Sequence, residues 1–343
     1  MNNKFLYTVL FSSVIAMLSG CDDKKVDTKS ADASLKTVST VSAKMDATSQ
    51  KKEEKPTPEV IAAKLQIYIK CYSLLDAGIN HSFNQYSSWV KDVDQGPAGN
   101  ETEVSGMSPV NSKLLEFCNN KMPLAAERQP GIPELDHAAL NFIKSANSLS
   151  EVMNSLSQYY RQEDYKKDAF LKGKTSHAEF MNKLKSYNSD SVAFRSAIDT
   201  ANDAQQLARL QEIEQSEGKN VRYHALSIVI NAKKLNAILV QDKFSAESAT
   251  RIMSEIQASL DVMKQPSANT AKKPQDYSKL IKNIEEYVLA AQQRINHVRD
   301  NQPFTEAEKA QLTDQQSSAM VEGTFNHAMK ANNEMIASFN LLQ

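Results

Sequence analysis

An apolar beat of three and four residues runs through most of this chain. Ile61, Leu65, Tyr68, Tyr72, Leu75, Ile79, Phe83, Tyr86 and Val90 keep it, as do Leu135, Ala139, Phe142, Ala146, Leu149, Met153, Leu156 and Tyr160. It returns at His177, Phe180, Leu184, Tyr187, Ser191, Phe194, Ile198 and Ala201, then at Tyr277, Ile281, Ile284, Val288, Ala291, Ile295 and Val298. In a helix of ~3.6 residues per turn this spacing gathers the apolar side chains on one narrow face, which must be buried against other helices. Period-two stretches are scarce, and nine glycines punctuate 343 residues. The expectation is an all-α fold: an elongated bundle of roughly seven or eight helices, several long and coiled-coil-like, as one domain or two packed halves.

Local signals mark the boundaries. Thr57-Pro58-Glu59 offers a capping hydroxyl, a proline at the first helical position and an acid in the first turn, so a helix over 59–91 is predicted if Gly78 does not interrupt it. Shorter helices are expected near 111–121, 221–240, 246–264 and 319–341, and Thr305-Glu306-Ala307-Glu308 reads as a capping box. Breaks are expected at 94–110, 122–133, 161–174, 215–220, 265–275 and 300–304.

The front of the chain has a different character. Lys4 precedes an apolar stretch, Phe5 to Leu18, of about fourteen residues, the size of a secretory signal core and short of the ~20 needed to span a bilayer. Leu18-Ser19-Gly20-Cys21 then resembles the bacterial lipoprotein processing box, which implies cleavage before Cys21, acylation of its thiol and of the new N-terminus, and residues 1–20 as a lipoprotein signal peptide. Several acyl chains at ~0.8 kcal/mol per buried methylene hold a protein firmly on a bilayer, where one holds it marginally. Asp22 resembles the signal that retains enterobacterial lipoproteins at the inner membrane, which implies a periplasm-facing protein on that membrane. Asp22 to Lys55 is rich in Ser, Thr, Ala, Lys and Asp and lacks aromatics. It cannot bury enough apolar surface to offset its ordering entropy, so residues 21–56 are expected to be the lipidated cysteine and a disordered tether spanning about 30 Å. Residues 57–343 are the expected bundle.

Composition narrows the remainder. Of 40 Lys and Arg, Lys4 alone falls within residues 1–20, so 39 would face 41 Asp and Glu in the processed chain, a formal net of −2. That balance supplies no field to steer nucleic acid, and no nucleic-acid partner is expected. With Cys21 acylated, Cys71 and Cys118 remain of three cysteines. In an oxidising periplasm a Cys71–Cys118 bridge is favoured over two buried thiols.

Tyr68-Ile-Lys-Cys-Tyr72, Gln95-Gly-Pro97 and Tyr159-Tyr-Arg-Gln-Glu-Asp-Tyr-Lys-Lys-Asp-Ala-Phe170 carry a family resemblance, with Lys172-Gly-Lys174, His177, Glu217-Gly-Lys219 and Gln241-Asp-Lys-Phe244. On these residues and the front end, the chain resembles the YiiG-like family of enterobacterial lipoproteins, a domain of unknown function, from about Ile67 onward. The resemblance implies an all-α envelope protein and no activity.

No motif points firmly to chemistry. Gly173-Lys174-Thr175 echoes a phosphate-binding loop, but Asp168 stands where that loop needs glycine and helical sequence precedes it. Glu134-Leu-Asp-His137 has the Glu-x-x-His spacing of di-iron bundles, without the second motif those sites require. His177, on an apolar stripe, reads as a core histidine. The Tyr159–Phe170 run reads as a packing corner or a binding edge. Trp89 with the loop containing Gln95, Gly96 and Pro97 is the best candidate for contact with a partner or ligand, since loops on rigid scaffolds often carry function.

The functional expectation is a membrane-anchored, non-enzymatic binding or scaffolding bundle. It would be held to the bilayer through acylated Cys21, engage a protein or wall component, and need no cofactor or metal. The alternatives are a bundle that binds a small ligand or lipid between its helices, and a metal-dependent enzyme built from scattered His, Asp and Glu.

Overall fold

The structure is a computed structural model describing residues 58–265, 276–313 and 315–342. The signal peptide, Cys21, Asp22, the tether and Thr57 lie outside the described residues. Among the described residues there is no strand, and no helix is long and apolar enough to cross a membrane.

Four helices form a first bundle: α1 (Pro58–Trp89), α2 (Ser112–Glu127), α3 (Pro133–Arg161) and the first part of α4 (Leu171–Glu217). Helix α1 packs on α2 and α4, and α3 closes the ring by packing on the same two. Paired side chains give the directions. Cys118 on α2 is bonded to Cys71, and Lys64 donates to the Ala126 carbonyl, so α2 runs back along α1. Tyr72 meets Phe142 and Tyr86 meets Tyr160, so α3 rises again. Tyr86 meets His177 and Tyr68 meets Phe194, so α4 descends.

The eight stripe residues of α3 are all buried, as are seven of the eight on α4, from His177 to Ile198. Gly78 does not interrupt α1, because it faces open space where no side chain is needed. Helix α2 runs past the expected break at 122, through Pro123 to Glu127. Met122 and Ala125 are buried on either side of the proline, and packing of that turn outweighs the lost backbone bond.

Two polar groups are built into this core. Lys64 and Asp136 pair at 2.6 Å, and Tyr68 and the Ile132 amide also donate to the Asp136 carboxylate. Higher up, Asp76 accepts from Tyr187, Ser191 and Asn80.

Helix α4 has 47 residues, about 70 Å at ~1.5 Å per residue, and carries the chain into a second core. That core is formed by α5 (Val221–Leu239), α6 (Ala246–Met263), α7 (Ser278–Arg299) and α10 (Phe325–Asn340), with short α8 (Glu306–Gln311) and α9 (Gln315–Ser318) before the last. Helix α5 packs on α6, α6 on α7, α7 on α10, and α10 returns to α5. Thr305 and Glu308 form the expected capping box. The helix expected over 319–341 is cut at Gly323, which has φ +76°, and Thr324 then caps α10.

Between the cores α4 turns polar. Its apolar contacts stop at Ala201 and resume at Leu210. Asn202, Gln205 and Gln206 are buried there, and Lys233 of α5 reaches Asp199 at 3.2 Å and Asp203 at 2.6 Å. Because Tyr68 lies beside Phe194, α1 begins near this waist, and its Trp89 end points away from the second bundle.

Candidate functional site

At the far end of the first bundle α1 stops at Trp89, and the chain folds back over the helix ends before Asn111 caps α2. The returning strand is tied to α1. Trp89 Nε1 donates to the Gly106 carbonyl at 2.8 Å, Ser82 to Ser108, and Gln85 to Ser105. Asn154 of α3 accepts the Val110 amide.

The outer part of the loop is held differently. Asp92 gathers the amides of residues 94–96, and Glu101 takes those of Ala98 and Gly99 at 2.6 and 2.8 Å. Burial pushes the Glu101 carboxyl up, but the amides of Ala98, Glu101, Gly99 and Asn100 outweigh it and hold the group below the usual carboxylate range.

Gly96 and Pro97 turn inward and are buried, while Gln95 stays exposed. Gly96 has φ +82°, a conformation side chains resist, and a Cβ there would sit 2.5 Å from His177 Cγ. The segment therefore lies directly on the imidazole.

The opposite wall is the Tyr159–Phe170 corner between α3 and α4. Three of its residues, Glu163, Ala169 and Phe170, have φ between +52° and +65° without being glycine. Such conformations cost of order 1–3 kcal/mol each and cluster at functional sites. Tyr159 donates to Asp168 at 2.7 Å, and Asp168 in turn accepts the Lys172 amide and caps α4. The rings continue inward: Phe170 on Tyr165 at 4.8 Å, Trp89 on Tyr160 at 5.0 Å, and Tyr86 on both Trp89 and Phe180.

His177 stacks on Tyr86, and its Nδ1 shares a 2.9 Å hydrogen bond with the Tyr86 hydroxyl. The other imidazole nitrogen, Nε2, has no partner, and neither has the Tyr160 hydroxyl. The two residues are 5% and 4% exposed. Four buried side-chain atoms among the described residues lack a partner, and two of them meet here. Each such atom costs about 1–3 kcal/mol. Burial, and after it the charge of Glu101, raises the Tyr86 hydroxyl; burial and then Tyr86, Tyr159 and Glu101 raise that of Tyr160. Both stay neutral phenols near neutral pH. They can donate and accept hydrogen bonds but offer no phenolate for nucleophilic chemistry.

The structure thus brings together three segments that the sequence presented separately: Trp89 with Gly96-Pro97, the Tyr159–Phe170 run, and His177. It leaves Gln95 on the rim. The bonded Cys71–Cys118 pair joins α1 to α2 with a Cα–Cα distance of 5.7 Å, inside the core and apart from the cap. Gly173 lies in the first turn of α4, where a Cβ would come 2.7 Å from the Tyr160 oxygen. It serves packing and not a phosphate loop.

Glu134 and His137 are exposed, while Asp136 between them is the buried partner of Lys64. That pair escaped sequence reasoning, as did Asp76. The legible signal for Asp76 was Ser191, a hydroxyl on an otherwise apolar stripe. Among the described residues no group of three His, Cys, Asp or Glu side chains is placed to hold a metal ion.

The comparisons with known proteins agree with this architecture without adding an activity. The chain is 33% identical over 356 aligned residues to the uncharacterized protein YiiG of Escherichia coli (strain K12), with 100% of both chains covered. No solved structure matches. The model of the family described as "Protein of unknown function (DUF3829)" matches residues 59–341, and the chain belongs to that family.

Proposed function

We infer that this protein is a membrane-anchored lipoprotein facing the periplasm, and that its paired bundles serve as a non-catalytic binding or scaffolding element. The observation that carries the reading is the use of cysteine. The fold bonds Cys71 to Cys118 and leaves Cys21, at the end of the apolar leader, as the remaining cysteine of three. Cystines persist in oxidising compartments, which supports export. A cysteine directly after Leu18-Ser19-Gly20 is placed for acylation.

The geometry of the bundle adds to this. The anchor side joins α1 at the waist, and the capped end stands off by the length of α1, about 48 Å for 32 residues. The strained, aromatic cap is the part best placed to meet a protein or wall component.

Growth in labelled palmitate tests the anchor. The wild-type chain takes up label and fractionates with the inner membrane, and Cys21→Ser abolishes both. Label retained by Cys21→Ser contradicts the reading. A photo-crosslinking residue at Gln95, compared in intact envelopes with one at exposed Leu289 on α7, tests the binding role. Preferential adducts from position 95 are expected, and equal yields from the two positions count against it.

A second reading, a bundle that takes a small ligand, is favoured by one observation: the unpartnered Tyr160 hydroxyl and His177 nitrogen beneath the loop.

A further inference from the structure

We propose that Tyr160 and His177 form the polar floor of a recessed ligand site closed by the Gly96-Pro97 segment, and that the site takes a small neutral ligand bearing hydroxyl or amide groups. The proposal rests on reading this protein as a binding element and names the chemistry of that binding.

Three observations carry it. The first is the pair of unpartnered atoms. The Tyr160 hydroxyl and His177 Nε2 are buried among rings, where a phenylalanine and an apolar residue would pack without an unmet hydrogen bond. They sit against adjacent turns of α4: Gly173, four residues before His177, is the residue whose absent Cβ makes room for the Tyr160 oxygen.

The second is how the covering segment is held. The base of the loop is fastened to α1 and α3 through Ser105, Gly106, Ser108 and Val110. The hydrogen bonds of residues 92–101 close within that segment, onto Asp92 and Glu101. The tip can therefore lift as a preformed unit while its base stays docked, leaving His177 uncovered.

The third is the charge at the rim. Glu101 is saturated by backbone amides, Asp168 is held by Tyr159 and the Lys172 amide, and Lys172 lies over the Tyr159 ring. The Lys174 ammonium stands beside Gly99. Charges of both signs ring the opening, so neither an anion nor a cation is selected. What remains are a donor-acceptor phenol, an imidazole nitrogen and aromatic faces, the set that suits hydroxyls and amides on a compact body.

Trp89 is the chain's single tryptophan and touches Tyr160, so its emission reports the site. The experiment titrates the full-length protein in detergent with N-acetylglucosamine, which carries hydroxyls and an acetamide. Tetramethylammonium and inorganic phosphate serve as charged controls. A saturable change in Trp89 emission is expected with the sugar alone.

Tyr160→Phe, which deletes only the unpartnered hydroxyl, is expected to weaken the response at least tenfold while leaving the melting temperature equal or higher. A lowered melting temperature in Tyr160→Phe would show that the hydroxyl stabilises the fold, and would overturn the proposal. So would the absence of a response to the sugar. Saturation by either charged control would overturn the neutral class while leaving the binding reading intact. That reading fails separately, through equal crosslinking from positions 95 and 289.

Discussion

The two bundles reach the same four-helix ring with different materials. The first core is aromatic: Tyr68, Tyr86, Trp89, Phe142, Tyr160, Phe180, Tyr187 and Phe194 are buried in it, around a cystine, an ion pair and a hydrogen-bonded aspartate. The second is built largely from Ile, Leu, Val, Ala and Met, with Tyr277, Tyr287 and Phe339 as its buried rings. Its buried cation, Arg294, is met by the carbonyls of Leu239, Gln241 and Gly323.

Each half also presses a left-handed glycine onto a histidine, Gly96 on His177 and Gly323 on His297. In the first half that histidine is buried with an unpartnered nitrogen. In the second it is half-buried and stacked on Phe304 at 4.0 Å. The first half keeps costly polar groups inside, and the second has few to keep. A fold that needed only to be stable would not require the first arrangement.

The difference can be broken most strongly at the ion pair. Asp136→Ala leaves Lys64 charged and buried, and is expected to cost about 3–5 kcal/mol. Lys264→Ala, which removes the exposed Lys264–Glu285 pair of the second half, is expected to cost ~1 kcal/mol or less. Urea titrations of both variants check the contrast, and similar losses would erase it.

The glycine pair gives a finer comparison. Gly96→Ala meets His177 at 2.5 Å and Gly323→Ala meets His297 at 3.1 Å. Both variants carry the left-handed cost of about 1–2 kcal/mol, and the first should exceed it clearly. Thermal melts measure the gap.

The smallest effect is one of pH. Burial, and after it Arg294, lowers His297 below its ordinary 6.5, against the opposing pull of Glu308. Burial likewise lowers His224. The unfolded chain then binds more protons than the folded one as pH falls through 6.5. The stabilisation is complete above that value and lost toward the lower folded pKa. His297→Gln should flatten the decline in melting temperature between pH 7 and 5, and an unchanged slope would refute the assignment.

The helical stripes were legible because a buried face repeats along a helix regardless of which partner covers it. All eight positions marked on α3 are in the core. On α7 the reading was less sharp. Ile281 and Val288 lie at the edge, and Tyr287, which hydrogen-bonds the Asn236 side chain, is fully buried. A helix flanked on two sides buries a wider face than one stripe predicts.

Pro123 and Gly323 were misjudged as local signals, since packing carried α2 through the first and a left-handed turn ended a helix at the second. The site was legible only in pieces. Trp89, Gly96, His177 and Phe170 each stood out, but nothing along the chain says that the ends of α1, α3 and α4 meet at one cap.

Unfolding of the full-length protein with and without reductant, followed by Trp89 fluorescence and far-ultraviolet circular dichroism together, tests the two-core account most directly. The cystine closes a sequence separation of 47 in the first bundle alone, worth about 4 kcal/mol by loop entropy. Reduction should move the Trp89 transition to lower temperature and leave a second, unmoved step in the dichroism. If both probes shift together as one transition, the halves share a single cooperative core and the account is wrong.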